Sequence, residues 1–221
     1  MIPILDQRIE RYLAGFESLH DPVLAEMERL AEKLDFPIVG PQLGTFLYIL
    51  ARSTGAKRVL ELGSGFGYSA LFFAKAVGPA GRVVLTDTDR ENRTRAQEFL
   101  VKARLDDRTE FRVGEALELA TSLRGSFDIV FNDVDKEEYP LVPDAAAKLL
   151  RPDGLLITDN SLWHGTVAEP DTMDEATVGV RRYNELIAAD PRYTSVILPV
   201  RDGLSVSLFH NPAPKPGKTA R

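Results

Sequence analysis

Cysteine is absent from the 221 residues, and histidine and tryptophan are scarce, at three and one. The first absence excludes a disulfide framework, a thiolate nucleophile and any zinc–sulfur centre, and it fits a reducing cytoplasm. A catalytic metal would have to take oxygen or imidazole ligands, and the only imidazoles are His20, His164 and His210. No apolar run reaches the roughly 18 residues that a membrane span needs. The opening Met1-Ile2-Pro3-Ile4-Leu5-Asp6 lacks the basic stretch of a signal peptide. Positive charge is in deficit: Lys+Arg 27 against Asp+Glu 33 leaves a formal net charge of −6, which argues against non-specific nucleic-acid binding.

What is present is an ordinary globular composition, 44% hydrophobic and 27% charged, which excludes wholesale disorder. The length suits one large domain with a core that needs no covalent staples. No internal repeat is visible. The proline-rich, basic run Asn211 to Arg221 has nothing to bury and reads as a disordered tail.

Residues 1–54 read as a helical cap. Asp21-Pro22 is a helix start, with Asp as N-cap and Pro at the first helical position. Val23, Leu24, Met27, Leu30, Ala31 and Leu34 then share one helical face, and Leu43, Phe46, Leu47, Leu50 and Ala51 resume the period after Pro37 and Gly40-Pro41. Residues 55–210 read as the core. Strands are predicted at Arg58–Leu62, Arg82–Thr86, Glu110–Val113, Phe127–Phe131 and Gly154–Thr158. The helices between them are expected at Ser69–Val77, Arg90–Arg104 and Tyr139–Leu150. Such alternation predicts a parallel sheet with helices on both faces. A helix over Asp174–Ala189 precedes Tyr193–Leu198 and Leu204–Phe209, joined by the turn Arg201-Asp202-Gly203, so these last two strands are antiparallel. The expected fold is a doubly wound α/β domain with a seven-stranded, mostly parallel sheet and a C-terminal antiparallel hairpin. Arg181-Arg182 on the late helix reads as a solvated face, and Tyr68 as a packing residue.

Glu61-Leu62-Gly63-Ser64-Gly65-Phe66-Gly67 follows the first strand and opens a helix, a turn that lets backbone approach a ligand closely. Two cofactors compete for it. Gly65-Phe66-Gly67-Tyr68-Ser69-Ala70 fits the alanine form of the dinucleotide fingerprint, and so a nicotinamide-dependent oxidoreductase. Glu61 with Gly63, Gly65 and Gly67 fits the acidic-x-Gly-x-Gly-x-Gly turn of a methyl donor, the reading we favour. Asp87 ends the second strand, where a carboxylate can hold ribose hydroxyls; both cofactors carry a ribose, so it does not discriminate.

The sharper signal is a pair of strand ends, Asn132-Asp133-Val134-Asp135-Lys136 and Asp159-Asn160. Ligands of open parallel sheets bind beyond the carboxyl ends of the strands. If these two strands are neighbours, Asp133, Asp159 and Asn160 converge into a hard, all-oxygen set suited to Mg²⁺. Lys136 beside it is the candidate general base.

The runs Val59–Ser69, Phe127–Tyr139, Leu149–Gly154, Asp159–Gly165 and Leu198–Leu204 together resemble the metal-dependent class I O-methyltransferases that use S-adenosylmethionine, the group including catechol and caffeoyl-CoA O-methyltransferases. The resemblance spans about Pro37 to Phe209 in order and spacing. It implies that Glu61, Gly63, Ser64, Ser69, Asp87, Ala116 and Asp133 surround the donor, and that Asp133, Asp159 and Asn160 bind the metal. Lys136 and Asp133 would act at the reacting hydroxyl, with Asp135, Trp163 and His164 facing a small vicinal-dihydroxy aromatic acceptor. A homodimer is also implied. A hydroxylated tRNA base is an alternative acceptor within the same family. Two positions depart from the pattern: Ile38-Val39 replaces polar donor contacts of plant relatives, and Arg201 stands where the family usually has Gly.

Overall fold

The computed structural model describes residues 4–16 and 19–210; the tail expected at 211–221 lies outside them. Eight helices and seven strands are found among the described residues. They run α1 (Gln7–Ala14), α2 (Pro22–Leu34), α3 (Gly40–Ser53), β1 (Arg58–Leu62), α4 (Tyr68–Val77), β2 (Arg82–Asp87), α5 (Arg90–Lys102) and β3 (Thr109–Val113). After these come α6 (Ala116–Ser122), β4 (Phe127–Asn132), α7 (Val142–Ala147), β5 (Leu150–Thr158), α8 (Glu175–Ala189), β6 (Tyr193–Leu198) and β7 (Leu204–Phe209). The single sheet has the order β3-β2-β1-β4-β5-β7-β6. β1 to β5 pair in parallel, whereas β7 pairs antiparallel with both β5 and β6. This is the expected doubly wound sheet with a C-terminal hairpin.

Strand alternation sends side chains to two cores. Val59, Ile129, Phe131 and Ile157 join one cluster with Leu43, Leu47, Phe72 and Phe73, which places α2 to α5 on one face. Leu60, Leu62, Val130 and Leu156 join the other with Ala120, Val142, Tyr183 and Ile187, which places α6 to α8 opposite. Truncating a fully buried aromatic such as Phe72 to Ala costs about 3–5 kcal/mol. α2 and α3 thus share a core with the sheet, whereas α1 buries no residue. Asp21 caps α2 as the sequence predicts, its side chain accepting from Val23 N at 2.7 Å. Leu34, expected on the buried face, is 39% exposed, because α2 ends there and Asp35 turns left-handed.

One predicted helix is corrected. Tyr139–Leu150 is not continuous: a 3₁₀ turn over Lys136–Leu141 is followed by the short α7, and β5 already begins at Leu150. Pro140 and Pro143 lack the N–H groups that a regular helix would need at those points. The 3₁₀ turn carries Lys136 and packs against α8.

Candidate active site

β1 and β4 are neighbours, and so are β4 and β5, so the tips of three parallel strands adjoin. Asp133 N donates to Leu62 O at 2.8 Å, and Asp159 N donates to Asn132 O at 3.1 Å. The convergence expected of Asp133, Asp159 and Asn160 is therefore present. Gly63 makes it possible. Its φ is +78°, and a Cβ there would stand 2.7 Å from the Asp133 carbonyl carbon and 2.9 Å from Val134 N. Any larger residue would push the glycine turn away from the β4 tip.

Two cavities meet at these tips. The first, about 300 Å³, is lined by the glycine turn with Ser64 and Ser69, by Asp87 and Ala116, and by Asp133, Asp135 and Lys136. The second, about 880 Å³, is lined by Asp133, Lys136, Asp159, Asn160, Trp163 and His164 on the sheet side, and opposite them by residues of the first ten, by Pro37, Ile38 and Gly40-Pro41-Gln42, and by the turn at Arg201-Asp202. Asp135, expected to face the acceptor, lines the first cavity rather than the second. Ile38 lines both, and Val39 the first only.

Asp87 is oriented by three donors: Gly65 N to one carboxylate oxygen at 2.9 Å, and Asp89 N and Asn92 Nδ2 to the other at 2.8 and 3.2 Å. A carboxylate has about four lone-pair sites, so acceptor capacity remains towards the cavity. Glu61 is fully buried beneath the turn, and neither carboxyl oxygen has a hydrogen-bond partner. Burial pushes its pKa up to about 8; the neighbouring Ser69 and Ser64 hydroxyls oppose the rise, and the charges of Asp133 and Asp87 add to it. Thr86 supports the turn from the adjacent strand. Its hydroxyl donates to Glu61 O at 2.8 Å, and its N–H donates to Ser64 Oγ at 3.1 Å.

Asp133 is enclosed by protein but keeps 29% of its side chain open to the cavities. Burial raises its pKa, and the Lys136 ammonium opposes the rise. Asp159 is only 5% exposed and is pushed up to about 7, first by burial and then by the Asp133 charge. Lys136 Nζ donates to Asp133 Oδ1 at 3.0 Å and to Val134 O at 3.3 Å. The same ammonium lies 5.2 Å from the centre of the Tyr139 ring and 5.4 Å from that of Trp163. Trp163 is thus an aromatic wall beside the lysine, half-buried, with the exposed His164 ring 4.8 Å from its own.

Several residues that shape the site carry no motif. Asp202, read in the sequence as part of a turn, accepts from Asn160 Nδ2 at 3.2 Å and from His164 N at 2.5 Å. Backbone bonds from Ser161 N to Gly203 O and from Leu162 N to Asp202 O hold the same two segments together. Tyr139 donates from its hydroxyl to Asp159 O at 3.0 Å. Gly179 on α8 lies against Lys136: a Cβ there would stand 2.9 Å from the Lys136 carbonyl carbon. Arg181 is not the solvated residue that the sequence suggests. Its guanidinium donates to the carbonyls of Thr166, Val167, Glu169 and Thr172 and ties down the segment after His164. A guanidinium satisfied by backbone carbonyls leaves no charge pattern to read in sequence. Tyr68 does pack as expected, its ring against Phe72 and its hydroxyl on Glu28 Oε1 at 2.6 Å.

The model of the family described as "O-methyltransferase" matches residues 16–209. Catechol O-methyltransferase of Niastella koreensis is 33% identical over 191 residues, covering 84% of this chain and 86% of that protein. The solved O-methyltransferase of Bacillus cereus in complex with SAH superposes with a TM-score of 0.84 at 30% identity, over 91% of this chain and 97% of that one. TomG of Streptomyces achromogenes, an O-methyltransferase involved in tomaymycin synthesis and solved with SAM, gives 0.84 at 30% identity, over 92% and 96%.

Proposed function

The chain belongs to the O-methyltransferase family and is an S-adenosylmethionine-dependent enzyme, and from that premise we propose that it methylates one hydroxyl of a small vicinal-dihydroxy aromatic, assisted by a divalent cation such as Mg²⁺. One observation carries the reading: Asp133 and Lys136 line both cavities, so the space beside the glycine turn opens onto the acceptor space at those two side chains. The name of the Niastella koreensis relative supports the acceptor class.

The donor set fits a hard cation. Among the described residues no three His, Asp or Glu side chains are arranged to hold a metal by themselves; the set proposed is two carboxylates and an amide. Asp133 Oδ1 is taken by Lys136 and Asp159 Oδ1 by Asn160 N, which leaves the Oδ2 atoms available. Asp202 takes the Asn160 amide nitrogen, so the amide oxygen is the free end. The Asp133 charge raises the proton affinity of the buried Asp159 carboxyl, so the pair calls for a compensating positive charge. A divalent ion held there would supply a lowered phenol pKa and a fixed position for two adjacent oxygens.

The reaction is an in-line displacement: the acceptor oxygen forms a bond to the methyl carbon as the sulfonium C–S bond breaks, and the hydroxyl proton leaves. Positioning at about 3 Å supplies much of the rate. Asp87 and the glycine turn hold the donor, Trp163 packs on the acceptor ring, and Lys136 is the residue assigned to take the hydroxyl proton. The test is methyl transfer to catechol with added Mg²⁺ or with EDTA. Turnover should require the cation, and Asp159→Ala should abolish it while S-adenosylhomocysteine still binds in calorimetry. Full activity in EDTA refutes the metal role.

A further inference from the structure

Arg201 lines the 880 Å³ cavity together with Asp133, Lys136, Asp159 and Trp163, yet the reaction described above gives it no task. Its backbone is left-handed, with φ +50°, a conformation in which a side chain is strained and glycine is not. The residue is exposed, and its guanidinium is tethered at one end. Nη1 donates to Ile38 O at 2.8 Å, and bare Gly40 makes room for it, since a Cβ on that glycine would stand 2.9 Å from Nη1. That bond is the only one that Arg201 makes among the described residues, and none of their carboxylates lies within ion-pair distance of it, although its charge acts at longer range on Asp133 and Asp159. A guanidinium has five N–H donors in a planar fork, so most of them are unspent. An exposed cation, tethered by one bond and with unused donors on the wall of a substrate cavity, is matched by a planar anion that accepts two parallel hydrogen bonds.

We propose that Arg201 selects the acceptor: it binds a carboxylate carried by the dihydroxy aromatic, either on the ring or at the end of a short arm. The assignment rests on the acceptor class argued under the proposed function and narrows it to anionic members. A residue that merely strapped the β6–β7 turn to Ile38 would affect charged and neutral acceptors alike.

The experiment compares kcat/KM for catechol, 3,4-dihydroxybenzoate and 3-(3,4-dihydroxyphenyl)propionate in the wild type, Arg201→Gly and Arg201→Gln, at saturating donor and Mg²⁺. Gln keeps a donor for Ile38 without the charge. The wild type should prefer at least one carboxylated acceptor over catechol by tenfold or more. That preference should fall at least fivefold in both variants, with the loss in KM. A wild type that prefers catechol, or a preference unchanged in both variants, overturns the role of Arg201 and leaves the dihydroxy-aromatic reading intact. Failure of the wild type to methylate any of the three overturns both.

Discussion

Replacing Gly179 by Ala sets two magnitudes against each other at one atom. Within the interior of α8, Ala is favoured over Gly by about 1 kcal/mol of helix propensity. The added Cβ would stand 2.9 Å from the Lys136 carbonyl carbon and 3.1 Å from Glu137 Cα, where ordinary contact begins at 3.4 Å, with the Lys136 carbonyl oxygen closer still. Both obstacles are backbone, so the 3₁₀ turn must move by about half an ångström or more. Overpacking of this kind costs about 1–3 kcal/mol, which outweighs the propensity gain. The turn carries Lys136, whose Nζ is placed by bonds of 3.0 and 3.3 Å, and a shift approaching 1 Å in a positioned group costs up to about 100-fold in rate. We expect Gly179→Ala to lower kcat by about 10- to 100-fold, with a lower Tm and a Kd for S-adenosylhomocysteine within a few-fold of the wild type. Val178→Ala, on the exposed neighbour, is the control. A Gly179→Ala enzyme with undiminished kcat and a raised Tm would show that α8 does not hold Lys136 in place.

Further outcomes test the surroundings of the site. In EDTA, the folded-state pKa values of Asp159 (about 7) and Glu61 (about 8) lie above those of the unfolded chain, so the protein should lose stability as pH rises from 5 to 8. Melting scans should show Asp159→Asn flattening that slope by several degrees; an identical slope in the variant would refute the assignment. Asp202→Ala releases the Asn160 amide and should raise the Mg²⁺ concentration needed for half-maximal turnover by about 10- to 100-fold, with donor affinity kept; an unchanged Mg²⁺ curve counts against it. Arg181→Ala removes every guanidinium bond to the 166–172 segment and should speed limited proteolysis there and raise the acceptor KM. Unaltered cleavage would mean that the segment is held by other contacts.

The parts of this molecule that were legible in sequence are those where a local pattern has one physical reading. Apolar runs alternating with helical periods gave the strands and their parallel sense, and Asp21-Pro22 gave the start of α2. The strand-end carboxylates Asp133 and Asp159 with Asn160 were legible because parallel strands deliver their carboxyl ends to one edge. Elsewhere a pattern had two readings or none. The glycine turn left two cofactors open, and the family match over residues 16–209 decides between them. Tyr139–Leu150 looked helical by period, although Pro140 and Pro143 were in plain view as breakers. Gly179 gave no signal, since a glycine needed for close approach resembles any other until the partner backbone is known.

The placing of Asp202 and Arg201 at the site escaped for a topological reason, which lies in how this sheet ends. A parallel strand contributes to the ligand edge only through the loop that follows it. An antiparallel strand contributes the loop that precedes it. β7 is inserted between β5 and β6, with Ser205 opposite Thr158, so the turn before Leu204 projects past the tip of β5. The hairpin was readable from Arg201-Asp202-Gly203, but the insertion was not; it sets the Leu204 end of that turn, with Asp202 and Gly203, beside the tip of β5, whereas with β6 next to β5 that end would stand one strand further from Asn160. The antiparallel insertion therefore has a consequence for chemistry as well as for the edge of the sheet. It brings Asp202 across 42 positions of chain to orient the Asn160 amide and the His164 backbone, and it sets Arg201 on the wall of the acceptor cavity.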